Sequence, residues 1–233
     1  MTNNSQKRDV ETASSLNERL GLSFSNFSLL TRALTHRSYA NEHQDGSEDN
    51  ERLEYLGDAV IDLIVAEWAY RYFPELPEGD LTKIRAHLVR NENLAKFAQQ
   101  IDLGGALRLG RGEKTTGGNN RKSVLGSAFE ALLAAIYLDS NFEKVRDFVL
   151  PFIDPYKGTI LDEVNDPKSN FQEKVQAFKM GQIVYRVVNT SGPDHARVYE
   201  VEVEINGKVM GRGSGSSKAA AEQEAARDAL SKL

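Results

Sequence analysis

The 233-residue sequence contains no cysteine, which excludes disulfides and thiolate metal sites, so a bound metal has to use carboxylates, imidazoles or water. Long apolar runs are missing as well. The longest, at 131–138, is far short of the ~20 residues that cross a bilayer, and no basic, apolar, small-residue leader pattern opens the chain. The expectation is a soluble, cytoplasmic protein without a membrane partner. Net basic charge is also lacking. The 29 Lys+Arg against 34 Asp+Glu leave a net −5, which argues at first sight against a phosphate-rich partner. The distribution matters more than the sum. From Pro167 onward ten basic residues face eight acidic ones, so the residues before it carry −7.

What is present suits two domains better than one larger one, since 40% hydrophobic residues suffice for a core in each. Residues 1–12 are polar and aperiodic. Residues 13–156 show helix-like apolar spacing, with candidate helices at 27–39, 50–71, 79–90, 91–100, 123–138 and 141–156, so the first domain is expected to be all-α. The stretch 157–166 loses periodicity and reads as a linker. Residues 167–233 then change character: a helix over 169–179, β-type runs, and an Ala-rich helix over 218–233 spell a small α+β domain of α-β-β-β-α order. In 198–205 the sequence alternates, with Tyr199, Val201, Val203 and Ile205 on one face and Glu200, Glu202 and Glu204 on the other. The glutamate face is expected to point to solvent. Asn206-Gly207 is a strong hairpin signal.

Glu51, Glu54 and Asp58 stand at i, i+3 and i+7, which places them on one helix face. Acids at this spacing usually form a solvated face. Here the helix runs on through the apolar stretch 60–66, which marks a central, buried element. Three like charges on such a helix need compensation, and a divalent cation supplies it. Oxygen ligands without cysteine favour Mg2+, or Mn2+ as a substitute, over zinc. Gly57 costs about 1 kcal/mol inside a helix, so it implies a close helix crossing or room for a ligand.

The run Glu51-Arg52-Leu53-Glu54-Tyr55-Leu56-Gly57-Asp58-Ala59 resembles the signature of the ribonuclease III family, endonucleases of double-stranded RNA. Gly79-Asp80-Leu81-Thr82 with Arg85, Leu88 and Val89 resembles the family's next block, and Leu125-Gly126-Ser127-Ala128-Phe129-Glu130-Ala131-Leu132 its third. The resemblance implies that the metal-binding acids fall on Glu54, Asp58 and Glu130, with Asp58 and Glu130 catalytic. It makes Glu51 and Glu78 further acids of the catalytic valley. It also implies two-metal phosphodiester hydrolysis, products with 5′ phosphates and short 3′ overhangs, and a homodimer whose catalytic domains form one valley with a site for each strand. One position departs from the pattern: Ser127 stands where the family usually places a metal-binding Asp. A neutral hydroxyl holds an ion poorly or through water, so weakened metal affinity is expected. His36 sits in a block read as structural, engaged in packing or hydrogen bonding. The Gly-rich run 110–120 lacks the ending of a phosphate-binding P-loop and reads as a flexible loop.

Residues 166–233 resemble a double-stranded RNA-binding domain, a module that reads duplex shape and 2′-hydroxyls. Ser169-Asn170-Phe171-Gln172 has a capping-box pattern, and Gln172 and Glu173 match the family's pair for one minor groove. His195, in Ser191-Gly192-Pro193-Asp194-His195-Ala196, matches the loop residue for the next minor groove. Ser217 and Lys218, at the start of the last helix, match the contact with phosphates across the major groove. Ala219 and Ala220 replace further basic residues common in the family. The leading reading is therefore a metal-dependent nuclease for duplex RNA. A binding protein with little cleavage, motivated by Ser127, and a hydrolase for a small phosphorylated substrate are the alternatives.

Overall fold

In the computed structural model, which describes residues 10–43, 46–164, 166–193 and 197–233, the first of two units is Met1–Gly158. Its helices are α1 (Ala13–Arg19), α2 (Phe27–Ala33), α3 (Arg37–Glu42), α4 (Glu51–Tyr72), α5 (Glu78–Val89), α6 (Asn91–Gln100), α7 (Arg111–Thr115), α8 (Lys122–Asp139) and α9 (Phe142–Ile153). Helix α8 is the hub. It buries residues all round, among them Leu125, Phe129, Leu132, Leu133 and Ile136, as its nearly unbroken apolar sequence requires. Helix α4 buries Leu53, Gly57, Val60, Ile61, Ile64, Val65 and Trp68 along one stripe against it. Phe97 of α6 and Phe152 of α9 close on Phe129, whose ring meets Phe152 edge-on at 5.5 Å. Each fully buried ring of this kind contributes roughly 1.5–3 kcal/mol by burial alone.

The expected helix over 27–39 is two helices. At residues 34–36 the backbone leaves the helix to form a parallel bridge between Thr35 and Arg108. Arg108 N donates to Leu34 O and His36 N donates to Arg108 O. Thr35 is fully buried and its hydroxyl accepts from Arg108 Nη1. His36 then restarts the helix: its Nδ1 accepts from Ser38 N and so caps α3, which agrees with the hydrogen-bonding role read for this residue. The flexible loop expected at 110–120 is instead ordered into α7 and a 3-10 turn, Gly118–Asn120. Its start is tied down by Gly110 N donating to Ser38 Oγ and Arg111 N donating to Glu42 Oε2.

The second unit, Thr159–Leu233, has the expected order of elements. Helix α10 (Ile160–Val164) lies inside the stretch read as a linker, and α11 (Pro167–Ala177), β1 (Ile183–Ser191), β2 (Val198–Ile205), β3 (Lys208–Gly215) and α12 (Lys218–Leu230) follow. The antiparallel sheet has the order β1-β2-β3. One face packs Val201, Val203 and Ile205 on Phe171, Val175, Ala221, Ala225 and Ala229 of the two helices. Asn206 and Gly207 both adopt positive φ between β2 and β3, as the tight hairpin demands.

Two readings change here. Helix α11 starts two residues before Ser169: Asp166 is its cap, accepting from Ser169 N at 2.9 Å, with Pro167 in the first turn. Proline has no N–H to leave unpaired at that place and favours the earlier start. The glutamate face of β2 is not uniformly solvent-facing either. Glu204 is only 9% exposed, because β2 is the middle strand and its outer face is flanked by both neighbours. Arg186 of β1 reaches Glu204 at 3.5 Å, and Arg212 of β3 reaches Glu202 at 2.7 Å.

Among the described residues, no helix is long and apolar enough to cross a membrane.

Candidate functional site

Helices α4 and α8 cross at Gly57, where a Cβ would collide with the backbone carbonyl of Glu130. The glycine thus serves the close crossing inferred for it. Around this crossing α4 presents Glu54, Asp58 and also Asp62, at i, i+4 and i+8, while α8 presents Glu130 and, one turn earlier, Ser127. Glu130 is half-buried, and Arg85 stands 3.8 Å from Asp62. Burial first, and then the carboxylates of Asp58, Glu54 and Asp62, hold the Glu130 carboxyl up at about 8. The Asp62 carboxyl is likewise raised, by burial and by Asp58, against the opposing pull of Arg85. Sequence reading passed over Asp62 because it falls in the apolar run after Asp58. Its i+4 spacing from Asp58 was the available signal.

Ser127 Oγ donates to Glu54 Oε1 at 2.8 Å, so the residue that departs from the family pattern is bonded directly to an expected metal ligand. Glu51 opens α4 at the surface, 3.3 Å from Arg37 Nη1. Glu78 opens α5 and accepts from Thr82 Oγ1 at 2.9 Å. Neither Glu51 nor Glu78 is among the charges that raise Glu130. Among the described residues, no three His, Asp or Glu side chains converge closely enough to cage an ion in this arrangement. The donor chemistry nevertheless suits a hard dication: every candidate donor is an oxygen, and burial together with the neighbouring carboxylates raises the Glu130 carboxyl, which a cation would relieve.

In the second unit Gln172 and Glu173 are exposed on α11, directly after the core residue Phe171. Ser217 caps α12, accepting from Ala220 N at 3.1 Å, and Lys218 is the exposed first residue of that helix. His195 lies outside the described residues.

The family described as Ribonuclease-III-like matches residues 26–156, and the double-stranded RNA binding motif matches residues 167–233. The chain is 46% identical over 219 residues to Ribonuclease 3 of Natranaerobius thermophilus, covering 94% of this chain and 95% of that protein. It is 44% identical over 217 residues to Ribonuclease 3 of Streptococcus gordonii, covering 92% and 94%. Among solved structures, the nuclease domain of ribonuclease III from Campylobacter jejuni matches with a TM-score of 0.56 and 39% identity, over 60% of this chain and 94% of that one.

Proposed function

The chain belongs to the ribonuclease III family, and from that premise we propose that it is a divalent-metal-dependent endonuclease of double-stranded RNA, leaving 5′ phosphates and short 3′ overhangs. It works in the cytoplasm on folded RNA, such as ribosomal RNA precursors and messenger RNA due for decay. The observation that carries the reading is the half-buried Glu130, facing the stripe of Glu54 and Asp58 on α4 with its carboxyl raised to about 8. In this reading Glu54, Asp58 and Glu130 hold Mg2+, or Mn2+ in its place, and Asp58 and Glu130 are the catalytic acids. When bound, such an ion supplies water activation and stabilisation of the departing 3′ oxygen.

The chain's own residues do the remaining work. Loss of a proton from Glu130 turns a neutral carboxyl into a ligand, and Glu54, whose Oε1 accepts from Ser127, keeps its other oxygen to serve as another. Ser127 itself, in the ligand position by resemblance, adds no charge, so the site needs more Mg2+ than one with Asp there. Glu51 and Glu78 are supporting acids of the valley. Gln172, Glu173 and His195 read two minor grooves, and Ser217 with Lys218 meets the phosphates between them. Duplex binding by this second unit brings RNA to an acidic site that would otherwise repel it. Tyr55 and Leu63, 83% and 57% exposed on α4, give a homodimer an apolar surface to cover.

The test is sizing and end-group analysis of products from a defined duplex. Fragments with 5′ phosphates and short 3′ overhangs, with single-stranded RNA left intact, are expected; random nicking or cutting of single strands contradicts the reading. A second reading has one observation in its favour: the side chain that faces Glu54 from α8 is the neutral hydroxyl of Ser127 and not a carboxylate. If the remaining acids hold Mg2+ too weakly, the protein binds duplex RNA and cuts little of it.

A further inference from the structure

A cleft of about 520 Å3 lies between the residues that lead into α1, the ends of α2 and α3, and the segment 106–114. It falls within the ~300–1,000 Å3 typical of small-molecule sites. Buried Leu34, Ala106 and Leu109 give it an apolar floor. Its charge is one-sided: three cations, Arg108, Arg111 and Lys114, line it against one carboxylate, Glu11. That carboxylate is already engaged, since Arg19 Nε donates to its Oε1 at 2.9 Å and Arg19 Nη2 lies 2.7 Å from its Oε2. Arg108 is half-buried and held by neutral groups. Its Nη1 donates to Thr35 Oγ1 at 3.1 Å, and its guanidinium stands 4.2 Å from the centre of the Tyr39 ring. Arg111 and Lys114, at i and i+3 on α7, are exposed and share a face. Glu113 between them turns to Arg121, 2.8 Å away. Among the described residues none of the three cations has an ion-pair partner.

A half-buried guanidinium fixed by a hydroxyl and an aromatic face is ordered in advance for an anion that the protein itself does not supply. Three unpaired cations call for a ligand with several negative charges. Inorganic phosphate would leave the apolar floor unused. A duplex fits poorly as well, because its bases are stacked inside and its backbone is read across a broad surface rather than in a cleft. Tyr39 stacks on His43, with ring centres 3.8 Å apart and planes 8° from parallel, and His43 is exposed, so a further planar ring can extend the stack. We propose that this cleft binds a free nucleoside polyphosphate, with its phosphates on Arg108, Arg111 and Lys114, its base on His43 and its sugar over Leu34 and Leu109. The site is separate from the acids, since none of Glu54, Asp58 and Glu130 lines it. It gives the first unit a ligand other than duplex RNA.

The site is independent of the nuclease reading and is tested without divalent ions, where the acidic cluster repels a polyphosphate. ADP is titrated calorimetrically into the full chain at about 0.15 M salt, which screens loose surface attraction. One ADP per chain is expected to bind with a micromolar Kd, and inorganic pyrophosphate and adenosine each at least about tenfold more weakly. The double exchange Arg111→Gln with Lys114→Gln is expected to weaken ADP at least about tenfold, the scale of one lost hydrogen bond between charged groups. Both side chains are exposed, so the domain stays folded. His43→Ala narrows the preference for ADP over pyrophosphate severalfold, while Lys232→Gln, a charge control in the second unit, leaves the affinity unchanged. No ADP binding up to millimolar concentration, equal affinity for ADP and pyrophosphate, or equal weakening by Lys232→Gln overturns the site. Displacement of ADP by an equimolar short RNA duplex overturns it too, because the cations then belong to the path of the duplex.

Discussion

Ser127 of α8 donates a 2.8 Å hydrogen bond to Glu54 of α4, joining the two helices that carry the acids at the point where a fourth carboxylate is absent. The bond has two consequences of opposite sign. It stabilises the crossing without metal, by about 1–2 kcal/mol for a bond to a charged acceptor, and it takes one lone pair of a carboxylate that a cation would use.

Ser127→Asp is therefore expected to destabilise the metal-free protein and to strengthen its hold on metal. Without divalent ions the new carboxylate faces Glu54, and the melting temperature falls. In Mg2+ the half-saturation for cleavage drops severalfold, because one more charged ligand faces the ion. Metal titrations of duplex cleavage by both proteins decide the point. Equal half-saturation means that Ser127 does not limit metal binding.

Glu130 makes stability depend on pH in a predictable direction. Its carboxyl is held at about 8 in the folded chain against an ordinary 4.5, so the folded state keeps a proton that the unfolded state releases. That contribution is fully present below about pH 4.5 and is lost as pH rises through about 8. Without divalent ions, Glu130→Gln is expected to be the more stable protein at pH 8.5, by roughly 2 kcal/mol once partial exposure is allowed for. The two proteins converge near pH 4.5. Thermal melts over this range check it, and parallel curves for the two proteins would remove the protonated carboxyl from the account.

Gly57→Ala tests the crossing that positions these acids. The added methyl meets the backbone of Glu130, which cannot move aside as a flexible side chain can, so the helices must separate. A cost of about 3 kcal/mol or more is expected, read as a lower urea midpoint, with cleavage lost beyond what the fraction still folded explains. A midpoint within experimental error of wild type contradicts the close approach.

Much of this arrangement is legible in the sequence, for physical reasons that differ by element. The acidic stripe on α4 follows from periodicity, which the helix enforces locally. The α-β-β-β-α order follows from alternation and from Asn206-Gly207. The break between α2 and α3 is not legible, because it is imposed by pairing of residues 34–36 with Arg108, some seventy residues away in the chain. The burial of Glu204 is hidden for a similar reason: the strand's own alternation says nothing about Arg186 on the neighbouring strand. Asp62 was obscured by the apolar residues around it, and only the crossing of α8 makes its charge count.

Lys218, at the exposed start of α12, offers a separate check on RNA binding. Lys218→Ala is expected to weaken duplex RNA binding severalfold and uniformly across sequences, and to reduce the slope of log affinity against log salt by about 1. Fluorescence anisotropy over a salt series gives both quantities. An unchanged slope would take Lys218 off the phosphate backbone.

The most direct test of the central claim is cleavage of a labelled RNA duplex across a Mg2+ series by the wild type and by Glu130→Ala. The account predicts duplex-specific cutting that rises with Mg2+ and is abolished in Glu130→Ala, while duplex binding is retained. Binding without cutting by the wild type at every Mg2+ concentration, or undiminished cutting by Glu130→Ala, contradicts it.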